Sequence, residues 1–191
     1  MKVGVLALQG AFIEHSKMLQ GLGAEVVEVR LPEHLDGLDG LIIPGGESTT
    51  IGKLAVQYGL IDPLREFART KPTWGTCAGM IFLAKDTGLD RQPILGLMDI
   101  VVNRNAFGRQ IDSFEADLQI KGLDDQPFPA IFIRAPVVTA TGAGVEVLSK
   151  LDNDRIVAVQ QEHLLATAFH PELTSDPRLH QYFLKLIERR N

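Results

Sequence analysis

Short apolar runs separated by amphipathic stretches dominate the first third of the chain. Residues 3–8 form an apolar run typical of a strand buried on both faces, and residues 11–21 place apolar side chains at helical spacing. Residues 25–29 are rich in β-branched side chains and residues 40–43 are apolar, which predicts two further strands. This strand–helix–strand order predicts parallel strands joined by right-handed crossovers.

The same pattern continues to about residue 85, and the second half is richer in strands. Helices are predicted over residues 51–58, 61–68, 80–85 and 176–189, the first of them capped by Ser48 or Thr49. Strands are predicted over residues 72–74, 97–102, 115–120, 130–133, 136–139, 145–149, 156–160 and 164–169. Loops or turns are predicted over residues 32–39, 88–93, 103–113 and 122–129. We therefore predict one α/β domain over residues 1–191, with a mixed, mostly parallel open sheet and helices on both faces.

Composition narrows the functional classes. The chain has 191 residues, is 45% hydrophobic and carries a formal net charge of −5. It is therefore expected to bury a substantial core, and without a block of basic residues it is not expected to bind nucleic acid. No apolar run approaches the ~18 residues of a membrane span, and the N-terminus lacks the pattern of a secretory signal, so we expect a cytoplasmic protein. A single cysteine excludes an intrachain disulfide framework and a cysteine-rich zinc site.

Three predicted strands are followed directly by glycine-rich or reactive residues. Gln9-Gly10 follows the first, Gly45-Gly46 follows the third, and Cys77 follows the strand that leads into the predicted helix 80–85. In an open parallel sheet, ligands bind beyond the carboxyl ends of the strands. These segments are therefore expected to converge at one edge of the sheet.

Gly75-Thr76-Cys77-Ala78-Gly79 resembles a nucleophile elbow in which sulfur replaces the hydroxyl oxygen. Glycines tolerate the close approach of strand and helix at such a turn, and the start of the helix favours a thiolate at Cys77. The alternative is that Cys77 is an inert, buried apolar side chain, as most free cysteines are.

His170-Pro171-Glu172 follows the last predicted strand and offers a base with an orienting carboxylate. If the segment is extended, His170 and Glu172 point the same way, so Glu172 can orient one imidazole nitrogen while the other faces a nucleophile. The alternative is a surface turn that contains these residues by chance. We expect structural or solvated roles for the remaining histidines, whose spacing supports no metal site; these are His15, His34, His163 and His180.

Pro44-Gly45-Gly46-Glu47-Ser48 is suited to binding an anion through backbone N–H groups. It lacks the lysine and the spacing of a phosphate-binding P-loop, and it also fits a helix-capping turn. With a cysteine nucleophile nearby, the relevant anion is the oxyanion of an acyl intermediate. We expect the N–H groups of Gly46 and Ala78 to be its donors.

Together these motifs resemble the class I (triad) glutamine amidotransferase family, which has a flavodoxin-like α/β fold. Within that family they resemble the branch of glutaminase subunits of pyridoxal 5′-phosphate synthase, and the resemblance runs nearly end to end. Seven separated segments carry it: 8–10, 44–50, 75–79, 103–110, 112–116, 132–136 and 169–172.

The resemblance implies roles for individual residues. Cys77 is implied as the nucleophile, with His170 and Glu172 completing the triad. Glutamine contacts are implied for six residues, namely Gly46, Glu47, Ser48, Arg104, Ile133 and Arg134. An arginine fork suits the α-carboxylate of glutamine, but the sequence leaves open whether Arg104 or Arg134 supplies it. No cofactor or metal is implied.

The resemblance further implies a partner, a (β/α)8-barrel synthase subunit that receives the ammonia. We place the partner face near Gln9-Gly10 and hypothesise that docking there rearranges the Gly45-Gly46 peptide to complete the oxyanion hole. Two other functions stay open on the residues alone. One is a stand-alone cysteine hydrolase, such as a peptidase or a γ-glutamyl hydrolase, and the other is a binding module with an inert Cys77.

Overall fold

The order of strands and helices follows the apolar pattern along the chain. The computed structural model describes residues 1–88, 92–104 and 113–190. The strands are β1 (Lys2–Leu6), β2 (Glu25–Val29), β3 (Gly40–Ile43), β4 (Thr73–Thr76), β5 (Ala84–Asp86), β6 (Met98–Asn103), β7 (Ser113–Leu118), β8 (Phe128–Ile133), β9 (Val137–Thr141), β10 (Val145–Lys150), β11 (Ile156–Gln161) and β12 (Leu164–Thr167). The helices are α1 (Phe12–Gly21), α2 (Ser48–Gln57), α3 (Ile61–Thr70), α4 (Ala78–Leu83) and α5 (Arg178–Glu188).

The main sheet has a parallel half and a mostly antiparallel half. Strands β2, β1, β3, β4 and β12 lie side by side in that order, and each neighbouring pair is parallel. The sheet continues through β11, β9, β6 and β5, with β10 also paired to β11, and β7 and β8 form a separate antiparallel pair. The predicted mixed α/β sheet is confirmed.

The parallel half determines where the site forms. Its strands β1, β3, β4 and β12 run in one direction, so the residues that follow them meet at one edge of the sheet. The segments after these strands contain Gln9, Gly45, Cys77 and His170 respectively. The predicted convergence of the first three is confirmed, and His170 joins them because β12 pairs with β4.

Two local predictions were wrong. Helix α2 begins at Ser48 and is capped by the Glu47 side chain, which accepts hydrogen bonds from the N–H groups of Thr49 and Thr50. Helix α4 ends at Leu83, because the chain then pairs with β6 as β5. The loop or short turn predicted over residues 32–39 is confirmed, and it begins with a 3₁₀ turn, Pro32–Leu35.

Large buried side chains fill the space between the sheet and the helices. Fully buried aromatic residues come from both halves of the chain, and they are Trp74, Phe82, Phe128, Phe132, Phe169 and Phe183. Within the residues that the structure describes, no helix has the length and apolar character needed to cross a membrane. Parts of two predicted loops lie outside the described residues, namely 89–91 and 105–112.

Candidate active site

Cys77 lies at the turn between β4 and α4 in a backbone conformation that is rare for a residue with a side chain. Its φ is 48° and its ψ is −103°. Its N–H donates to the Thr167 carbonyl at 2.8 Å and its carbonyl accepts from the Ile81 N–H at 3.3 Å, so strand and helix hold the turn from both sides. The residue is only 6% exposed and lines a cleft. The predicted strand–turn–helix elbow is confirmed.

Two glycines allow this turn because a Cβ at either position would meet backbone. A Cβ on Gly75 would collide with the Gly79 carbonyl, and a Cβ on Gly79 would collide with the Ile43 carbonyl of β3. The elbow therefore presses α4 against two strands at once, which only residues without a side chain permit.

The His170 imidazole bridges Cys77 and Glu172. Its Nδ1 lies 2.7 Å from Glu172 Oε1, and its ring lies beside Cys77 at the wall of the cleft, while the Cys77 sulfur lies 3.8 Å from the Ile133 carbonyl oxygen. The His170 N–H donates to the Ile131 carbonyl at 2.8 Å, which anchors the residue to β8. The structure thus brings together the nucleophile, base and orienting carboxylate that the sequence predicted.

The surroundings of His170 favour its protonated form. Burial on its own lowers the pKa of the imidazole, but hydrogen bonds to Cys77 and Glu172, together with their negative charges, raise that pKa to about 10. The imidazole therefore carries a proton at neutral pH, next to the sulfur.

The backbone between His170 and Glu172 differs from the predicted extended segment. Pro171–Leu173 forms a 3₁₀ turn that starts directly after His170. Proline is favoured at the first position of such a turn, because its missing N–H has no partner to lose there. The turn, and not the alternation of an extended strand, brings the Glu172 carboxylate back to the imidazole.

Gly45 provides the space that the imidazole occupies. A Cβ on Gly45 would collide with His170 Cε1 and lie 3.2 Å from the Cys77 Cβ. Any larger residue would therefore push the base away from the sulfur. The sequence indicated Gly45-Gly46 as a source of backbone donors and missed this steric role.

Glu47 is anionic and is committed to several partners. Burial on its own raises the pKa of its carboxyl, but hydrogen bonds from Thr49 and Thr50 outweigh this and lower the pKa to about 2. These bonds come from both backbone N–H groups, at 3.1 and 2.7 Å, and from both hydroxyls. Arg104 Nη2 also lies 3.3 Å from Glu47 Oε1.

The segment Gln9-Gly10-Ala11 clamps the loop after β3. Gln9 Oε1 accepts from the Glu47 N–H at 2.7 Å, and the Ala11 N–H donates to the Gly45 carbonyl at 3.0 Å. Gly10 has a φ of +96°, and a Cβ there would collide with the Gly45 oxygen. Since the peptide is trans, the Gly46 N–H points away from that oxygen, so this clamp fixes its direction.

A cleft of about 680 Å³ joins these elements. Ten of the sequence-predicted residues line it: Gln9, Gly46, Glu47, Ser48, Cys77, Ala78, Arg104, Ile133, Arg134 and His170. Glu172 lies buried behind His170, and Gly10 lies on the exposed surface next to Gln9. Ile81 and Ser113 also line the cleft, and the sequence assigned no role to either residue.

The two arginines differ in their surroundings. Arg104 is half-buried and donates to Gln92 Oε1 at 2.9 Å as well as to Glu47. Arg134 is exposed and has a φ of 45°. Among the described residues, the buried Ser48 hydroxyl in the same cleft has no hydrogen-bond partner.

Two buried histidines adjoin the triad, and sequence reasoning missed this placement. His15 and His180 are fully buried, and His15 Nε2 lies 3.3 Å from Glu172 Oε2. A signal was available, because both residues fall within the apolar stripe of their helices, where a polar side chain needs a partner. Within residues 1–88, 92–104 and 113–190, no cluster of three or more His, Cys, Asp or Glu residues could hold a metal ion.

Comparison with known proteins gives one family. The profile of the SNO glutamine amidotransferase family matches residues 5–189. A pyridoxal 5′-phosphate synthase subunit PdxT from Herpetosiphon aurantiacus is 60% identical over 190 residues, covering 97% of this chain and 100% of the relative. A protein of the same name from Dehalococcoides mccartyi is 60% identical over 191 residues, covering 98% of each chain.

Solved structures share the fold. A crystal structure described as a glutamine amidotransferase has a TM-score of 0.92 at 56% identity, covering 97% of this chain and 98% of that chain. The structure of PurLQS from Thermotoga maritima has a TM-score of 0.70 at 17% identity, covering 96% of this chain and 97% of that chain, and shares the fold alone.

The contacts of His170 predict how its pKa responds to Glu172. In Glu172→Gln the carboxylate charge that favours the imidazolium is lost, so we expect the pKa of His170 to fall below about 10, toward 6.5. NMR titration of the His170 ring measures this shift. Glu33→Gln removes the same charge from an exposed site and leaves the His170 titration unchanged. An unaltered pKa in Glu172→Gln would contradict the assignment.

Proposed function

Because this chain belongs to the SNO glutamine amidotransferase family, we propose that Cys77, His170 and Glu172 form the triad that hydrolyses L-glutamine to L-glutamate and ammonia. One observation carries the proposal: a single imidazole lies beside the elbow cysteine and 2.7 Å from a buried carboxylate oxygen, at the wall of an open cleft. The raised pKa of His170 supports an imidazolium in the resting site.

The first half of the reaction releases ammonia. The Cys77 thiolate attacks the side-chain amide carbon of glutamine, and the carbonyl oxygen becomes a tetrahedral oxyanion. The N–H groups of Gly46 and Ala78 donate to that oxyanion. The His170 imidazolium gives its proton to the departing nitrogen, the C–N bond breaks, and a γ-glutamyl thioester remains on Cys77.

The second half regenerates the site. Neutral His170 takes a proton from a water molecule, which attacks the thioester carbon. The C–S bond then breaks, glutamate leaves, and the thiolate and the imidazolium are restored. Glu172 holds Nδ1 of the imidazole throughout, so that the other ring nitrogen faces the substrate.

Opposite charges in the cleft support glutamine as the substrate. The α-carboxylate pairs with Arg104, whose half-buried guanidinium offers a planar fork of donors. The α-amino group lies near Glu47, whose low pKa keeps it anionic. The unpartnered Ser48 hydroxyl and the backbone at Ile133 and Arg134 line the rest of the path to Cys77.

Covalent labelling tests the nucleophile. We expect a glutamine analogue with an electrophilic group at the amide position to add its mass to Cys77, and glutamine to protect against it. Cys77→Ala abolishes both the labelling and glutamate release, by at least ~10⁴-fold for the latter, because no thioester forms. Mass spectrometry and glutamate release in the presence of the synthase subunit measure the two effects. Labelling that persists in Cys77→Ala, or that glutamine does not block, would refute the proposal.

Substitution of each arginine and measurement of the KM for glutamine show which of the two binds the substrate carboxylate. We expect Arg104→Gln to raise the KM for glutamine about tenfold or more with a smaller change in kcat, because it removes a charge-assisted hydrogen bond in a half-buried site. Arg134→Gln is the matched control and raises KM less, because its charge is exposed to solvent. Steady-state kinetics check this, and a larger KM effect at Arg134 reverses the assignment.

The relatives are named as subunits of pyridoxal 5′-phosphate synthase, and we propose the same place for this chain. Its partner is a (β/α)8-barrel synthase subunit that takes up the ammonia, docking near Gln9-Gly10. Docking there acts on the hydrogen bond between Ala11 and Gly45, and so redirects the Gly46 N–H toward the oxyanion.

This coupling predicts that the partner activates the glutaminase. We expect glutamate release to rise about tenfold or more when the synthase subunit is added in excess, because one oxyanion donor is worth ~10²-fold or more in kcat. The complex formed with Cys77→Ala serves as the blank. Equal rates with and without the partner would rule out the rearrangement.

A further inference from the structure

A chain of buried polar groups continues behind the triad. His15 Nε2 lies 3.3 Å from Glu172 Oε2 and 3.2 Å from the Thr76 hydroxyl. On the other side of the ring, His15 Nδ1 lies 2.9 Å from His180 Nε2. His15 belongs to α1 and His180 to α5, so the two ends of the polypeptide meet at this point.

A carboxylate can only accept hydrogen bonds, and this property indicates which ring nitrogens of His15 and His180 carry protons. Glu172 Oε2 has no hydrogen bond among the described residues, while His15 Nε2 hydrogen-bonds to the Thr76 hydroxyl and lies 3.3 Å from that oxygen, so a proton on Nε2 makes the contact with the carboxylate favourable. His15 Nδ1 then holds a lone pair and accepts from His180 Nε2–H. A lone pair remains at His180 Nδ1, which has no partner in the described part of the chain.

Burial keeps His15 and His180 uncharged. It lowers the pKa of His15 well below its ordinary value, with repulsion from His180 and His170 adding to the effect. Burial likewise lowers the pKa of His180 to about 3. Two neutral imidazoles therefore lie in series behind Glu172: His15 faces the carboxylate, and His180 contacts His15.

Trp74 holds both rings in place. Its indole packs edge-on to His180, with centroids 5.0 Å apart, and to His15 at 5.7 Å. Its Nε1–H donates to the Thr167 hydroxyl at 3.2 Å. Because Trp74 lies in β4, the strand that leads into the elbow, the rings and the nucleophile share one rigid support.

We propose that His15, oriented by His180, is a positioning residue of the glutaminase: its Nε2–H faces Glu172 Oε2 at 3.3 Å, stabilises that charged oxygen electrostatically and thereby aligns His170 with the substrate. The proposal rests on the triad assigned above. If His15 and His180 only filled space in the core, the volume of their rings would be enough. A positioning role for His15 also requires the N–H at Nε2.

A pair of amide substitutions at His15 separates these roles. Gln places its amide near the position of Nε2 and keeps a donor toward Glu172, whereas Asn places its amide near Nδ1 and loses that donor. With the synthase subunit present, we expect His15→Asn to lower kcat about tenfold or more while KM for glutamine stays within about threefold. We expect His15→Gln to retain kcat within about threefold.

A spectroscopic readout accompanies the kinetics. We expect the His170 Nδ1–H that is bonded to Glu172 to give a downfield proton resonance. We expect this resonance to move or broaden in His15→Asn and to stay in His15→Gln. If His15→Asn does not fold, His180→Gln and His180→Leu provide the same comparison, because only the first keeps a donor toward His15.

The controls distinguish the possible failures. Full activity in Cys77→Ala would refute the triad itself. If Cys77→Ala is inactive but the two His15 variants have equal kcat, or lose activity only in proportion to their unfolding midpoints, the triad stands and the positioning role is refuted.

Discussion

A carboxylate with no access to solvent constrains the rest of the active site. Burial of a charge is costly unless the charge is paired and hydrogen-bonded, and the Glu172 side chain is fully buried. One of its oxygens faces the His170 imidazole at 2.7 Å and the other faces His15 at 3.3 Å. The 3₁₀ turn after His170 and the placement of α1 both follow from this requirement. The same carboxylate that needs a partner also contributes, after Cys77, to the raised pKa of His170.

Close backbone contacts at Gly45 connect the buried His170 imidazole to the protein surface. The imidazole lies against Gly45, and the carbonyl of that same glycine accepts from Ala11 in the segment after β1. The His170 imidazole, the proposed oxyanion donor at Gly46 and the surface segment around Gly10 therefore meet within a single peptide unit. A change at the surface need not travel through the core to reach the reacting atoms. For this physical reason a docking site beside Gln9 can affect catalysis.

Much of this arrangement follows from short-range pattern, and the remainder depends on long-range packing. The elbow at Cys77 could be predicted, because a cysteine with a glycine two residues away on each side, at a strand–helix junction, is typical of such a sharp turn. The cap of α2 could not, since Ser48 and Thr49 are common capping residues, whereas Glu47, which caps the helix through its longer side chain, is not. The contact between His15 and His180 joins helices from opposite ends of the chain, and no local pattern specifies which buried histidines will meet.

Charge in the cleft bears on the competing hydrolase functions. Glu47 and Arg104 already contact each other at 3.3 Å, and such a partly exposed pair is weak, so either group can also bind a ligand. A ligand with both a free amino group and a free carboxylate matches this arrangement, whereas an internal residue of a peptide carries neither charge. The cleft is therefore poorly suited to a peptidase. A γ-glutamyl chain has the same charged end as glutamine, so charge alone does not exclude it. For that substrate the discriminating feature lies at the amide end, where a longer chain must pass the wall formed by His170 and the elbow.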